Sequence, residues 1–430
     1  MDIIKKFLKY DKNDSLIRDG IILFTATMIA NASGYIYHLG MGRILGPADY
    51  GALGAILSLL YILLVPFNVI QTTLSKFVAK FKANDQENKI RYLFYYSLKK
   101  LSLYGIILAI ISGFFWYNTI FPFLNLKYGI SLVIVMSILV FFIFLLPINR
   151  GILQGLQTFK PLGINIVIEA ITKLFFGFLL VMLGFGIVGA FIGIVLSYII
   201  PFIISLWPLK KRYLSKKVED IEIKSIYKYS FPVLITMLSL TAFYSLDVIL
   251  VKHYFNDISS GFYAAAALLG RIVFFASLSI SMVMFPKVVE MDAMKKPNVH
   301  ILNKALSIVA LISAAISVGY FVLPKLIVMI LFGSEYLEIT SYIATFALLM
   351  SFFSLSYLLA LYNLSVNRIS FIFILLFFNI IEIVSIVLFH DSLRQVINSL
   401  TVVMMLMFIL MMFYTLYRNR YGTINNNPSI

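Results

Sequence analysis

Apolar runs of about 20 residues, the length a helix needs to cross a bilayer core of about 30 Å, begin near Gly20, Gly51, Leu101, Tyr128, Pro161 and Val188. Similar runs begin near Ser230, Gly261, Leu311, Glu338, Phe371 and Asn398, and one offset of about 210 residues relates the two sets, which is the mark of an internal repeat. Gly51 and Gly261 mark the best-aligned pair. The pattern predicts an all-α polytopic membrane protein with twelve transmembrane helices in two six-helix lobes. The lobes are residues 1–209 and 230–430, joined by a polar linker over 210–229. An even number of spans per lobe gives both lobes the same orientation about an axis along the membrane normal, so the transport path is expected between them.

Proline falls inside or beside the runs at Pro66, Pro147, Pro201, Pro232 and Pro324. Each frees a backbone carbonyl, which lipid tolerates only where a neighbour or cavity water satisfies it. Such kinks suit either a protein that opens to alternate sides or helices bent simply to pack. Outside the runs, Lys76 to Lys100 alternates charge with Phe77, Phe81, Tyr92 and Phe94, a pattern that fits a helix lying on the inner membrane surface. The N-terminal segment, with Ile3, Ile4, Phe7 and Leu8 on one side, reads as an interfacial helix without a cleavable signal pattern.

Composition agrees with this picture: 61% of the 430 residues are hydrophobic, 13% are charged, and mean hydropathy is +0.96. Twelve spans use most of the chain and leave no room for a catalytic domain. The formal charge of +16 raises the question of nucleic acid, and the position of the charges answers it. With the N-terminus inside, the inner loops collect Lys5, Lys6, Lys76, Lys80, Lys82, Lys99, Lys100, Arg150, Lys210, Lys211, Arg212, Arg368 and Arg418, among others. The outer loops hold only Arg43, Lys127, Lys252, Lys325 and Arg394. That asymmetry predicts both termini in the cytoplasm, a multi-pass protein of the cell membrane, no nucleic-acid partner, and an attraction to anionic lipid headgroups. Cysteine is absent, which removes thiol chemistry, and His38, His253, His300 and His390 are too scattered to suggest a metal site.

Polar residues at membrane depth face a cavity or a partner. In the fifth run Asn165, Glu169, Thr172 and Lys173 share a face, and Glu169 and Lys173 stand in the order that favours pairing along a helix. A pair that merely eases insertion and a role in transport are both open. The matching run of the second lobe has Asn379 at the repeat position of Glu169, with Glu382 one turn on. Further stripes comprise Thr27, Asn31, Tyr35 and His38; Asn68, Gln71, Thr72 and Ser75; and Thr236, Ser239 and Asp247. Interhelical hydrogen bonding explains Ser and Thr, and a sugar-facing cavity is the sharper reading for Asn and Gln. Counting residues from the span ends puts Lys173 and Arg271 near the midplane in opposite lobes, with Arg43 and Asp247 toward the outer end. Cations through an apolar protein suit an anionic cargo such as a diphosphate, unless Arg271 simply pairs with Asp247.

At these residues the chain resembles the Wzx-type polysaccharide flippases of the multidrug/oligosaccharidyl-lipid/polysaccharide (MOP) exporter superfamily. The resemblance rests on GRILGPADYGALGAILSLL (Gly42 to Leu60), on DVILVKHYFNDISSGFYAAAALLGRI (Asp247 to Ile272), on RGILQGLQTFK (Arg150 to Lys160), on Phe285-Pro286 and on LFGSEY (Leu331 to Tyr336), all in order along the chain. It implies a carrier, not an enzyme, that moves a polyprenyl-diphosphate-linked oligosaccharide to the outer leaflet by alternating access. It further implies a cationic cavity, carried over to Lys173, Arg271 and Arg43, and coupling to H+ or Na+ through Glu169, Asp247 or Glu382. Asn31, Asn68, Gln71, Asn165 and Asn379 complete the expected cavity lining. Membrane lipids and the lipid-linked oligosaccharide are the expected partners of a monomer, with polysaccharide-assembly proteins as further candidates and no bound cofactor. A MATE-like cation or drug antiporter is the alternative. The loop LSKFVAKFKAND lacks the major-facilitator signature, the outer loops are too short for a membrane glycosyltransferase, and no P-loop is present for an ATP-driven pump.

Overall fold

The computed structural model of the chain describes residues 15–126, 128–213, 224–294 and 296–421, and every regular element among them is helical. The long helices are α1 (Ser15–Ala83), α2 (Glu87–Phe115), α3 (Ile130–Gly155), α4 (Phe159–Leu180), α5 (Gly186–Tyr213) and α6 (Lys224–Ala242). They continue as α7 (Leu246–Tyr254), α8 (Asp257–Ala293), α9 (Val299–Val322), α10 (Ile343–Ser365), α11 (Ile372–Leu388) and α12 (Leu393–Tyr421). Ile3, Ile4, Phe7 and Leu8 lie outside the described residues, as does the middle of the linker, 214–223.

Glycines divide the longest apolar stretches. Within α1, Gly46 takes φ 72°, a left-handed value that a side chain disfavours, and Pro47 next to it lacks an N–H to continue the ladder, so two helices meet there. Between α4 and α5 the chain turns through Gly184 (φ 89°) and Gly186 (φ 51°). Among the described residues nine helical stretches are long and apolar enough to cross a membrane, and Ile22–Ala83 and Phe159–Trp207 each contain one of these breaks. Phe114, Met182 and Phe321 are largely exposed along them, which is the surface of a protein solvated by lipid rather than water.

Two compact units form. The first comprises 1–44, 66–122 and 127–230; the second comprises 45–65, 123–126 and 231–430. The division of the sequence at the linker assigns 45–65 and 123–126 to the other side. In the first unit the end of α1 and the start of α2 join the C-terminal ends of α3 and α5 in one core: Val78, Phe81, Ile90 and Phe94 pack with Leu145, Ile152, Leu153 and Leu209. This corrects the expectation of a surface-lying helix over 76–100. Phe77, Phe81 and Phe94, which suggested contact with lipid, lie on the packed side of a helical hairpin turned at Asp85 (φ 53°), and Lys82 closes its base by donating to the Leu156 carbonyl at 2.7 Å.

The second unit explains why 45–65 belongs to it. A Cβ on Gly261 would stand 1.8 Å from the Pro47 carbonyl oxygen, and one on Gly51 would stand 2.6 Å from Ser260 Oγ, so the two backbones touch at the pair that marks the repeat. One turn on, Gly54 leaves room for Ala264. Tyr50 packs edge-on against Phe332 (5.7 Å) and Tyr336 (6.3 Å). Burial, with Glu335 alongside, raises the Tyr336 phenol above its ordinary pKa range, so it serves as a neutral packing group. The segments GPADYG and LFGSEY, far apart in sequence, are thus two sides of one joint.

A methyl group placed against Pro47 overpacks that joint by about 1–3 kcal/mol. Gly261→Ala is therefore expected to lower the thermal unfolding midpoint in detergent. Gly319→Ala, where nothing lies within 4 Å, is expected to leave it unchanged or raise it. Equal midpoints for the two variants would contradict the joint.

Candidate functional site

The polar residues singled out in the sequence gather into two clusters, one in each unit. In the first unit Arg150, near the C-terminal end of α3, reaches across to α4. Its guanidinium contacts the Glu169 carboxylate at 2.6 Å and donates from Nε to Asn165 Oδ1 at 2.7 Å. A guanidinium only donates, so Asn165 presents its oxygen to Arg150 and its amide nitrogen to the Pro201 carbonyl of α5, at 2.7 Å. Three helices are pinned by one polar network, and Asn165 is 2% exposed within it. The Glu169–Lys173 pair expected along the helix gives way to this cross-helix pair. Lys173, half-buried one turn further on, holds its ammonium 5.4 Å from the centre of the Tyr37 ring and 4.0 Å from where a Cβ on Gly34 would sit. Tyr37 donates its hydroxyl to the Ala190 carbonyl at 3.0 Å, which fixes the ring that faces the cation. Among the described residues no carboxylate lies within 4.0 Å of the Lys173 ammonium.

In the second unit one crossing is interrupted: α6 ends at Ala242, residues 243–245 form a turn, and α7 begins at Leu246. A break at membrane depth strands backbone groups, which must be met from within the protein. Arg271 of α8 meets one by donating to the Tyr244 carbonyl, while its guanidinium lies 5.6 Å from the Tyr244 ring and 3.9 Å from Asp247 Oδ1. Asp247 stands in the first turn of α7, accepts the Val248 N–H at 2.8 Å, and accepts the Tyr263 hydroxyl at 3.1 Å. A carboxylate at a helix N-terminus also meets the positive end of the helix dipole. Arg271 is 6% exposed and its Nε has no partner among the described residues. Glu382 of α11 is fully buried (0% exposed), close enough to Asp247 for the two acids to act on each other, and neither of its carboxyl oxygens has a hydrogen-bond partner among the described residues.

The remaining candidates belong to neither cluster. Asn379 is buried and donates to the Leu375 carbonyl one turn back in its own helix, at 2.8 Å. Gln71 pairs with Gln154 at 3.1 Å, joining α1 to α3. Asn31, Asn68 and Arg43 are exposed. Among the described residues no three His, Cys, Asp or Glu side chains form a metal cluster, although the fold places His253 and His390 on either side of Tyr254, at ring distances of 4.7 and 4.2 Å. Sequence reading misses the parts played by Arg150, Tyr37, Tyr244 and Tyr263. Arg150 reads in the sequence as one more inner-loop cation; the tyrosines lie inside apolar runs, where only the fold shows what their hydroxyls and rings meet.

Comparison with known proteins agrees with this architecture. The sequence model of the family described as polysaccharide biosynthesis protein matches residues 41–341. An uncharacterized membrane protein of Methanocaldococcus jannaschii is 26% identical over 392 residues, covering 86% of this chain and 90% of that protein. Among solved structures, a multidrug resistance MATE family transporter of the MOP superfamily in an inward-facing conformation superposes with a TM-score of 0.78 at 14% identity, covering 91% of this chain and 96% of the other. The lipid II flippase MurJ in an inward closed conformation gives 0.73 at 18% identity, with 95% and 94% covered. A MOP superfamily transporter from Pyrococcus furiosus, described as having a binding pocket of reverse polarity, gives 0.64 at 17% identity, with 93% and 95% covered. The match over most of its length and the shared architecture establish that the chain belongs to the polysaccharide biosynthesis protein family and is a multi-pass membrane protein with the MOP-superfamily fold.

Proposed function

We propose that this protein is a flippase that carries a polyprenyl-diphosphate-linked oligosaccharide from the inner to the outer leaflet of the cytoplasmic membrane by alternating access. No bond is made or broken. Dividing each of the two interrupted stretches into two crossings and adding the shorter apolar helix Ile372–Leu388 makes twelve crossings, with both termini cytoplasmic. The single observation that carries the reading is Lys173, an ammonium set among apolar helices, against an aromatic ring, with no carboxylate within 4.0 Å among the described residues. Such a cation compensates the lost hydration of a diphosphate and offers nothing to a cationic drug. Arg43, exposed at the end of the first crossing, is a second cation for the headgroup to meet. Arg271 is already engaged with Tyr244 and Asp247, so it reaches cargo only after those contacts are released. Membrane lipids and polysaccharide-assembly proteins are the partners, and a monomer suffices.

Asp247 and Glu382 supply the coupling. Two buried acids that act on each other, one of them held by a fixed guanidinium, form a site where taking up H+ or Na+ changes the balance of charge, and the Glu382 oxygens, without a hydrogen-bond partner among the described residues, are the place for it. The same acid pair is the specific observation that favours the second reading, a MATE-like cation antiporter.

Reconstitution separates the two readings. Vesicles containing the protein and a fluorescent polyprenyl-diphosphate oligosaccharide are expected to expose the glycan to an added glycosidase faster than protein-free vesicles. Lys173→Ala is expected to slow this about 10- to 100-fold, the worth of a charge-assisted contact. Rates equal to protein-free vesicles, together with gradient-driven ethidium transport, would establish the antiporter instead. In the same vesicles an imposed proton or sodium gradient is expected to accelerate flipping, and Glu382→Gln to remove the acceleration while leaving flipping without a gradient. Acceleration that persists in Glu382→Gln would rule out that acid as the coupling site.

A further inference from the structure

Lys173 and Arg150 contend for one carboxylate. Glu169 stands one turn before Lys173 on α4, the spacing at which an acid and a lysine reach each other along a helix, and it is near enough to act on the Lys173 ammonium electrostatically. Yet the carboxylate is turned to Arg150 of α3, at 2.6 Å. Geometry explains the outcome. The guanidinium is held in place by Asn165, whose side-chain oxygen takes the Nε–H at 2.7 Å and whose backbone oxygen lies 3.4 Å from the same terminal nitrogen that meets Glu169. Asn165 is in turn oriented by the Pro201 carbonyl. A fork fixed in this way loses little freedom on binding a carboxylate, whereas the flexible ammonium of Lys173 would have to give up the Tyr37 ring to do so.

We infer that Arg150 is a positioning residue for cargo recognition: by holding Glu169 away from Lys173 it keeps the ammonium uncompensated and available to an anionic headgroup. Arg150 itself touches no cargo. Its function is to decide the net charge next to Tyr37. With Arg150 in place the pair Arg150–Glu169 is neutral and the charge of the Lys173 ammonium is left uncompensated. Without it, Glu169 turns to Lys173 and the site presents no net charge. The inference rests on the reading of Lys173 given above and adds a specificity device to it. An inner-face arginine, nineteen positions from the acid it restrains, sets the electrostatic character of a lysine it does not contact.

Binding of farnesyl diphosphate to the full chain in detergent micelles, followed by tyrosine fluorescence with farnesol as the uncharged control, tests this with a double-mutant cycle. Lys173→Ala is expected to weaken diphosphate binding about 10- to 100-fold, the range for a hydrogen bond to a charged group, and to leave farnesol binding unchanged. Arg150→Gln is expected to weaken it to a similar degree, Glu169→Gln to leave it intact, and Arg150→Gln/Glu169→Gln to restore it. The double variant keeps an amide at each position, so it remains informative if Arg150→Gln alone does not fold. A double variant that binds as weakly as Lys173→Ala overturns the inference, since Arg150 would then act on the ligand or on the fold. Wild-type binding by Arg150→Gln overturns it as well. If Lys173→Ala itself binds normally, the Lys173 site fails and the inference falls with it, an outcome distinct from failure of Arg150 alone.

Discussion

Within a bilayer no water stands ready to satisfy a polar group, and this constraint shapes every polar feature of the protein. A helix interrupted at residues 243–245 exposes a carbonyl, and Arg271 is bound to it. Pro201 leaves its neighbourhood short of one N–H, and its own carbonyl accepts from both Asn165 and Ser205, each at 2.7 Å. Asn149, buried in α3, donates to Ser205 Oγ at 2.9 Å and to the Phe202 carbonyl at 3.2 Å. Among the described residues two ionisable groups stand apart, one in each unit. Lys173 rests on an aromatic ring instead of an acid, and Glu382 has no hydrogen-bond partner among the described residues. Where a protein leaves an ionisable group unmatched at depth, the group's partner comes from elsewhere, and a transported headgroup or a coupling ion meets that description.

The two units therefore differ in chemistry although they repeat in hydropathy. The first concentrates its acid and arginine into a closed network and leaves a lysine over. The second sets two buried acids near each other, one of them beside an arginine that is committed to the backbone. The family-like segments divide between these duties in a way their sequence does not announce. GPADYG and LFGSEY build a joint whose tolerance is set by glycines against backbone, and Asp247 to Ile272 carries both Gly261 of that joint and Arg271 of the buried cluster. One stretch of chain serves packing on one side and electrostatics on the other.

Much of this is legible in the amino-acid sequence. Runs of the right length and the distribution of lysine and arginine point to helices in lipid, because the requirements of a bilayer are strict and local. The repeat pair Gly51 and Gly261 is visible as an alignment, but not as a contact, since only the fold brings the two backbones together. Lys76 to Lys100 misleads for a physical reason: an amphipathic pattern is the same whether the apolar face meets lipid or another helix, and here it meets α3 and α5. Helical spacing puts Glu169 beside Lys173 correctly, but it does not show that an arginine from another helix, anchored by Asn165, is the better partner. The interruption before Asp247 leaves no mark in the sequence, because it contains neither glycine nor proline: Phe243, Tyr244 and Ser245 fill it.

The central claim is that the lysine left over in the first unit serves a diphosphate-linked glycan. Native mass spectrometry of the protein extracted from its own membranes tests it directly, whatever sugars the cargo carries. A co-purifying lipid whose fragments include a diphosphate and sugar units is expected on the wild-type chain and is expected to be lost from Lys173→Ala. Only ordinary phospholipid on both proteins would contradict the claim.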